Sequence, residues 1–365
     1  MKKVYINGYF TKDQIYGVPR YALEIVKRLD RYFKSGEAEL VIPRDATNVP
    51  VLSNIKICTW EERGKKKEVN GPIWGLLVYG AYVRKKKGLN VNLTNRAEWV
   101  KNSITALHDM ILLYRYQYVF RLSIKEKIKI KLSQFADKVW FRSKIFIKEC
   151  TANKIVTVSE FSKAEICRHF TFSPEKVHVI GNGWEHINNI IECDEKRDVR
   201  IIEKQYFFFI AKLNPHKNLQ WVLEEAKTMT NENFVIAGRL PDNIVKIIKA
   251  RDNIIYLGHI SDEYMKFLMR NCKALLYPSY IEGFGIPPLE ALALGSKAIV
   301  SDIPVMHEIY ADSVYYVDAD KGDIDLNELL TGQLEGVENV LTEHSWEKSA
   351  KEWFALIDTV RCLNI

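Results

Sequence analysis

No run in this chain is long and apolar enough to cross a bilayer. The longest nearly uncharged stretch, Gly71 to Val83, falls well short of the roughly 20 residues that a spanning helix needs. Cysteine is scarce and scattered: Cys58, Cys150, Cys167, Cys193, Cys272 and Cys362 stand singly, with no pair at a zinc or redox spacing. They read as reduced thiols, and no metal site is expected. Met1 to Phe10 runs directly into a strand-like stretch around Val4 and Ile6, so no signal peptide is expected. The protein is expected in the cytoplasm or peripheral to the inner face of its membrane. With 18 Gly and 11 Pro, a collagen-like chain is excluded, and neither internal repeats nor low-complexity segments are visible.

What is present is a globular composition. The 365 residues are 47% hydrophobic and 12% aromatic, enough for packed cores and long enough for two domains. The formal net charge of +7 is concentrated. Residues 111–150 hold ten Lys and Arg against three acids, an excess equal to that of the whole chain. Aromatic and aliphatic residues such as Tyr118, Val119, Phe120, Trp140 and Phe141 are interleaved with these cations. This pattern suits an anionic membrane surface, with an ordinary solvated basic helix face as the alternative. No nucleic-acid-binding motif accompanies it, so nucleic acid is not expected as a partner.

Short apolar runs alternate with amphipathic segments throughout, the rhythm of parallel sheets with crossover helices. Strands are predicted at 2–7, 38–42, 54–58, 88–93, 103–107, 154–158 and 176–180, with helices at 18–33, 122–150 and 160–169. A stricter alternation follows. Strands at 206–211, 234–237, 253–257, 274–277 and 297–300 are interleaved with helices at 219–229, 242–250, 261–270 and 287–294. The fold class is therefore α/β, with two doubly wound, Rossmann-like domains facing across a cleft. The expected division is 1–190, 199–345 and a last helix within 346–365 that returns to the first domain. The polar stretch Glu192–Arg200 serves as the boundary.

The most informative segment is Glu282-Gly-Phe-Gly-Ile-Pro-Pro-Leu-Glu290, between a strand and a helix. Gly283 and Gly285 allow close backbone approach to a ligand, and the helix start near Ile286 offers N–H groups and a positive dipole end to an anion. Glu282 and Glu290 suit sugar or ribose hydroxyls, since ionised carboxylates accept two hydrogen bonds each. The loop Ala211-Lys-Leu-Asn-Pro-His-Lys-Asn218 carries Lys212 and Lys217, two point charges able to converge on phosphates. His108-Asp109 closes another strand, and Gly17 stands at the entrance of the first long helix.

Glu282 to Glu290, continuing through Ala-Leu-Ala-Leu-Gly-Ser-Lys-Ala-Ile-Val300, resembles the paired-glutamate signature of retaining glycosyltransferases of family 4, the glycosyl transferases group 1, which have the GT-B fold. The resemblance implies donor binding by Lys212, Lys217, Glu282, Gly283, Phe284, Gly285, Ile286, Glu290 and Gly17. It implies catalytic roles for His108, Glu282 and Lys217, with His108 beside the donor sugar and Asp109 orienting its loop. The sequence departs from the family where lysine replaces the usual arginine at position 212 and where the first loop has one glycine, Gly17, instead of two or three.

The implied activity is metal-independent, retaining transfer of a hexose from a nucleotide-sugar donor to a hydroxyl of a lipid-linked or oligosaccharide acceptor. It needs no cofactor, and its setting is bacterial surface polysaccharide (O-antigen or capsule) biosynthesis. Loops such as Arg63–Asn70 are expected to choose the acceptor. Two alternatives stand: a nucleotide-sugar epimerase of the same fold, and a non-catalytic nucleotide-sugar-binding or membrane-associated protein.

Overall fold

The structure, a computed structural model, describes residues 1–60, 70–114, 124–191, 193, 198–212 and 214–363. The chain forms two compact units, one built from 1–113, 124–182 and 345–365 and the other containing 183–344. Tyr118, Val119 and Phe120, and the predicted acceptor loop up to residue 69, lie outside the described residues.

The first unit is a parallel sheet of seven strands: β1 (Val4–Asn7), β2 (Ala38–Ile42), β3 (Lys56–Thr59), β4 (Leu89–Asn92), β5 (Ser103–Ala106), β6 (Ala152–Thr157) and β7 (Val177–Val179). Their order is β3-β2-β1-β4-β5-β6-β7. The second unit holds six: β8 (Tyr206–Ile210), β9 (Asn233–Ala237), β10 (Ile254–Gly258), β11 (Ala274–Tyr277), β12 (Lys297–Ser301) and β13 (Tyr315–Val317). Their order is β10-β9-β8-β11-β12-β13. Both sheets run outward in two directions from their first strand, the doubly wound arrangement in which ligands bind where the order reverses. Those points are β1/β4 in one unit and β8/β11 in the other.

These strands are legible because a sheet covered on both faces has apolar side chains on both. In β8, Phe207 and Phe209 join Leu219, Trp221, Phe234 and Leu276 on one face. The alternate residues Tyr206 and Phe208 join Tyr264, Leu268 and Leu275 on the other. The register Ala274↔Phe207 and Leu276↔Phe209 sets β11 beside β8, so the loops leaving both strands emerge together.

The last helix, Trp346–Leu363, packs on the helix Val18–Leu29 of the first unit. Trp353 Nε1 donates to Tyr21 Oη at 2.6 Å, and the Tyr32 and Phe354 rings stack at 5.2 Å. Trp346, Trp353 and Ile357 are fully buried, each contributing about 2 kcal/mol by leaving water. The second unit begins at Gly183, ahead of the polar stretch chosen as the boundary. The reason is that the residues after Gly183 already bond within that unit, with Trp184 Nε1 donating to the Leu341 carbonyl at 2.9 Å.

The uncharged stretch after Gly71 forms a helical run to Lys86 with a π-helical middle at Trp74–Tyr79. A Cβ on Gly75 would stand 2.4 Å from the Ala97 carbonyl oxygen, so the backbone packs where a side chain has no room. Among the described residues no helix is long and apolar enough to cross a membrane.

Candidate functional site

The loops leaving β8 and β11 converge in the second unit. In the first, Pro215–Lys217 makes one tight turn and Asn218 takes a left-handed conformation, φ 55°, which asparagine tolerates. Its side chain caps the helix Leu219–Thr228 by accepting from Trp221 N at 3.3 Å. Tyr280 N donates to the His216 carbonyl at 2.8 Å and ties the second loop to the first.

This tie brings Lys217 and Glu282 into contact. Lys217 Nζ donates to Glu282 Oε1 at 2.5 Å and to Tyr277 Oη at 2.8 Å. Both partners are largely out of water, with side-chain exposures of 16% and 8%. Burial by itself raises the Glu282 carboxyl, but Lys217 and then His216 outweigh it and hold the group below the ordinary glutamate value. Lys212, at the exposed start of the same loop, is held below the ordinary lysine value by partial burial, then by repulsion from Lys217, against the attraction of Glu282. Burial takes His216 down to about 4, so its imidazole is neutral at pH 7. An ammonium has three N–H donors, and two of those on Lys217 are committed to Glu282 and Tyr277.

Gly285 adopts φ 97°, and a Cβ there would lie 3.0 Å from Met306 Cε. Only glycine meets both conditions without strain. Tyr310 Oη donates to the Gly285 carbonyl and pins the entrance of the helix Ile286–Ala293. Pro287 and Pro288 occupy its second and third positions, so Ile286 and Leu289 carry the remaining backbone donors of the first turn. Phe284 packs edge-on against His344, with centroids 5.2 Å apart. Glu290, one turn into the helix, is held by His186 Nε2 at 2.7 Å. No local pattern in the sequence points to His186, because its partner is 104 residues away. Tyr277 likewise stands in the sequence only as the end of a strand.

In the first unit, His108 follows β5 and is buried, with its ring edge-on to Tyr21 at 4.6 Å. Its Nε2 lies 3.0 Å from the Leu93 carbonyl, which only accepts. The proton therefore resides on Nε2, and Nδ1 is an acceptor. Burial, opposed by that hydrogen bond, lowers the imidazole to about 4 and keeps it uncharged at neutral pH. Asp109 Oδ1 accepts from Ile111 N at 3.1 Å and shapes the loop. Gly17 takes φ 60° at the entrance of the helix Val18–Leu29, with open space where a Cβ would be.

Beside it lies a cavity of about 300 Å³ whose lining includes Pro19, Pro72, Arg96, Trp140 and Lys144. Arg96 bridges Asp13 at 2.8 Å and stacks 4.0 Å over the Tyr9 ring. Deeper in, Lys148 Nζ donates to Thr105 and to the Ala106 carbonyl. Glu98 accepts from Asn7 and from Asn90, the latter at 2.6 Å. Burial raises Glu98 and lowers Lys148, pushing both toward neutrality. The sequence reading missed this cavity and this buried polar network.

Among the described residues, no three His, Cys, Asp or Glu side chains converge as a metal-ligand set. Residues 192–353 match the family described as glycosyl transferases group 1. The chain is similar to the O-antigen chain mannosyltransferase RfbU of Salmonella typhimurium, 32% identical over 195 residues. That match covers 51% of this chain and 52% of RfbU, so it spans about half of the relative's length. Among solved structures, the fold is shared with sucrose-phosphate synthase from Thermosynechococcus elongatus, with TM-score 0.71, 12% identity and full coverage of both chains. It is also shared with Anabaena HepE in complex with UDP and glucose, with TM-score 0.60, 14% identity and coverage of 100% and 98%. Both units are thus Rossmann-like domains of the GT-B type.

Proposed function

We propose that this chain, whose residues 192–353 match the glycosyl transferases group 1, moves a hexose from a nucleotide sugar to a hydroxyl of a lipid-linked or oligosaccharide acceptor in bacterial surface polysaccharide biosynthesis. The observation that carries this reading is the buried Lys217–Glu282 pair at the β8/β11 reversal of strand order. It puts a cation for phosphate beside a carboxylate for sugar hydroxyls, where doubly wound sheets bind ligands. The likeness to an O-antigen chain mannosyltransferase supports the acceptor class, and the fold shared with HepE, solved with UDP and glucose, supports a nucleotide-sugar donor.

In this reading Lys212, Lys217 and the start of the helix Ile286–Ala293 receive the donor diphosphate. Gly283, Phe284, Gly285 and Ile286 bring backbone close to it. Glu282 takes sugar hydroxyls, and Glu290, oriented by His186, takes the ribose. The bond from the anomeric carbon to the diphosphate breaks while the acceptor oxygen bonds to the same face of the sugar, and the acceptor proton passes to the departing diphosphate. Configuration is retained. Charge growing on the leaving group is stabilised by the two ammonium groups, which here do the work of a divalent cation. His108, neutral, presents Nδ1 to the reaction centre as a hydrogen-bond acceptor without adding charge. The first-unit cavity with Arg96 and Lys144 takes the acceptor, and the protein works peripherally on the inner face of the cytoplasmic membrane.

The test is thermal unfolding with GDP, UDP and dTDP, followed by sugar transfer with and without EDTA. One nucleotide at about 100 times its Kd adds about 2.7 kcal/mol of stability, and transfer survives EDTA. Stabilisation by none of the three, together with no transfer from any of their sugars, refutes the reading. Transfer abolished by EDTA and restored by a divalent cation refutes its metal-free part.

A further inference from the structure

One face of the long helix Ile124–Thr151 carries apolar side chains that the fold leaves in water. Leu132, Phe135, Val139 and Phe146 are 65%, 68%, 53% and 59% exposed. At about 100° per residue they fall within one stripe of about 60°. Phe141, Ile145 and Lys148, all buried, occupy the opposite side, so the stripe points away from the core of its unit. At about 1.5 Å per residue it is about 21 Å long. An exposed apolar stripe of this kind marks a surface made to be covered.

The charges beside it identify what covers it. Arg142 is exposed at the edge of the stripe. Lys138 flanks the same side, with its ammonium donating to the Leu113 carbonyl at 3.3 Å. The acid on that side, Glu149, is already engaged, its Oε1 accepting from Thr171 N at 2.9 Å and from Thr171 Oγ1 at 2.8 Å. In sequence, the helix begins with Lys125, Lys127, Lys129 and Lys131 against a single acid, Glu126. A second copy packed on this face would set cations against cations. A bilayer bearing anionic headgroups complements both halves of the pattern.

We propose that this helix face is a membrane-docking surface. Leu132, Phe135, Val139 and Phe146 enter the boundary between headgroups and acyl chains, while Arg142 and Lys138 neutralise lipid phosphates. The inference rests on the peripheral part of the reading above and deepens it by naming the inserted side chains and the lipid chemistry.

The test is co-sedimentation of the full chain with phosphatidylcholine vesicles containing about a third phosphatidylglycerol, against phosphatidylcholine alone, at low and high salt. The wild type pellets with anionic vesicles at low salt and not with neutral ones. Phe135→Ser/Phe146→Ser lowers the partition coefficient at least about tenfold, through lost apolar insertion. Arg142→Gln lowers it about fivefold, through one lost cation. These positions are exposed, so the variants keep the wild-type melting temperature. No pelleting of the wild type with anionic vesicles at low salt overturns the proposal, as does equal pelleting of wild type and the double phenylalanine variant. A wild-type dimer that the double variant loses assigns the face to a second copy and overturns it too. Nucleotide-dependent stabilisation on the same preparations separates the two readings. Its loss with vesicle binding intact removes the transferase reading alone, and the converse removes the docking surface alone.

Discussion

Replacing Lys217 by alanine removes the cation that offsets the burial of Glu282. Breaking a buried pair by deleting one partner costs about 3–5 kcal/mol, because the other charge stays behind unpaired. Lys217 keeps 16% of its side chain in contact with solvent, so the lower end applies. About 3 kcal/mol corresponds to a fall of about 6–12 °C in melting temperature for a domain of this size.

The loss also has a pH signature. In the wild type the Glu282 carboxyl lies below its ordinary value, so its contribution is present above the unfolded pKa and is lost as pH falls. Without Lys217, burial dominates and raises the carboxyl above the unfolded value, so the variant loses stability as pH rises through that window. Lys217→Ala is therefore closest to wild type in acid and furthest from it at neutral pH. Glu282→Gln in the same chain removes the stranded charge and recovers most of the lost stability. The assay is thermal unfolding of wild type, both single variants and the double variant between pH 5 and 8. Wild-type melting of Lys217→Ala, or a double variant no more stable than Lys217→Ala, refutes the reasoning. Under the proposed function, Lys217→Ala also lowers kcat by about 10²–10³-fold, and Glu282→Gln does not restore it.

Two further outcomes are expected. The His108 imidazole is lowered to about 4 in the folded chain, so between that value and about 6.5 the unfolded chain binds a proton that the folded one does not. Stability then falls by about 3 kcal/mol from this site as pH drops across the window, and urea titrations show a shallower pH slope for His108→Gln; an unchanged slope refutes the assignment. Gly285→Ala meets both a φ of 97° and a contact of 3.0 Å to Met306 Cε. It costs about 1–2 kcal/mol in thermal unfolding, and melting at the wild-type temperature shows that the backbone there is not constrained as described.

Much of the fold is legible because parallel strands covered on both faces are short apolar runs that survive without context. Residues 38–42, 160–169 and 274–277 are predicted within the bounds the structure shows. The helical run after Gly71 is not, since Gly75 and Gly80 are poor helix formers and only close packing on Ala97 explains Gly75. β13 escapes for a different reason: three residues ending at Asp318 make a strand too short to stand out. At the site, the loop residues Lys212, Lys217, Glu282 and Gly285 stand out because their chemistry is local. His186 beneath Glu290, and Glu98 with Lys148 beneath β5, arise from contacts across many residues that periodicity does not encode.

The Lys217–Glu282 pair also explains how one geometry serves two states. Without a ligand, each group satisfies the other, so neither is buried at full desolvation cost. Under the proposed function, a diphosphate arriving beside Lys217 competes for its ammonium, and Glu282 then needs new donors. Sugar hydroxyls of the same ligand supply them. A nucleoside diphosphate alone would leave Glu282 partly unpaired, whereas a nucleotide sugar satisfies both residues at once. The site should therefore bind the intact donor more tightly than the product diphosphate, and Glu282→Gln should erase that preference, as titration of both ligands against both proteins would show. Equal affinities in the wild type would mean that Glu282 does not reach the sugar.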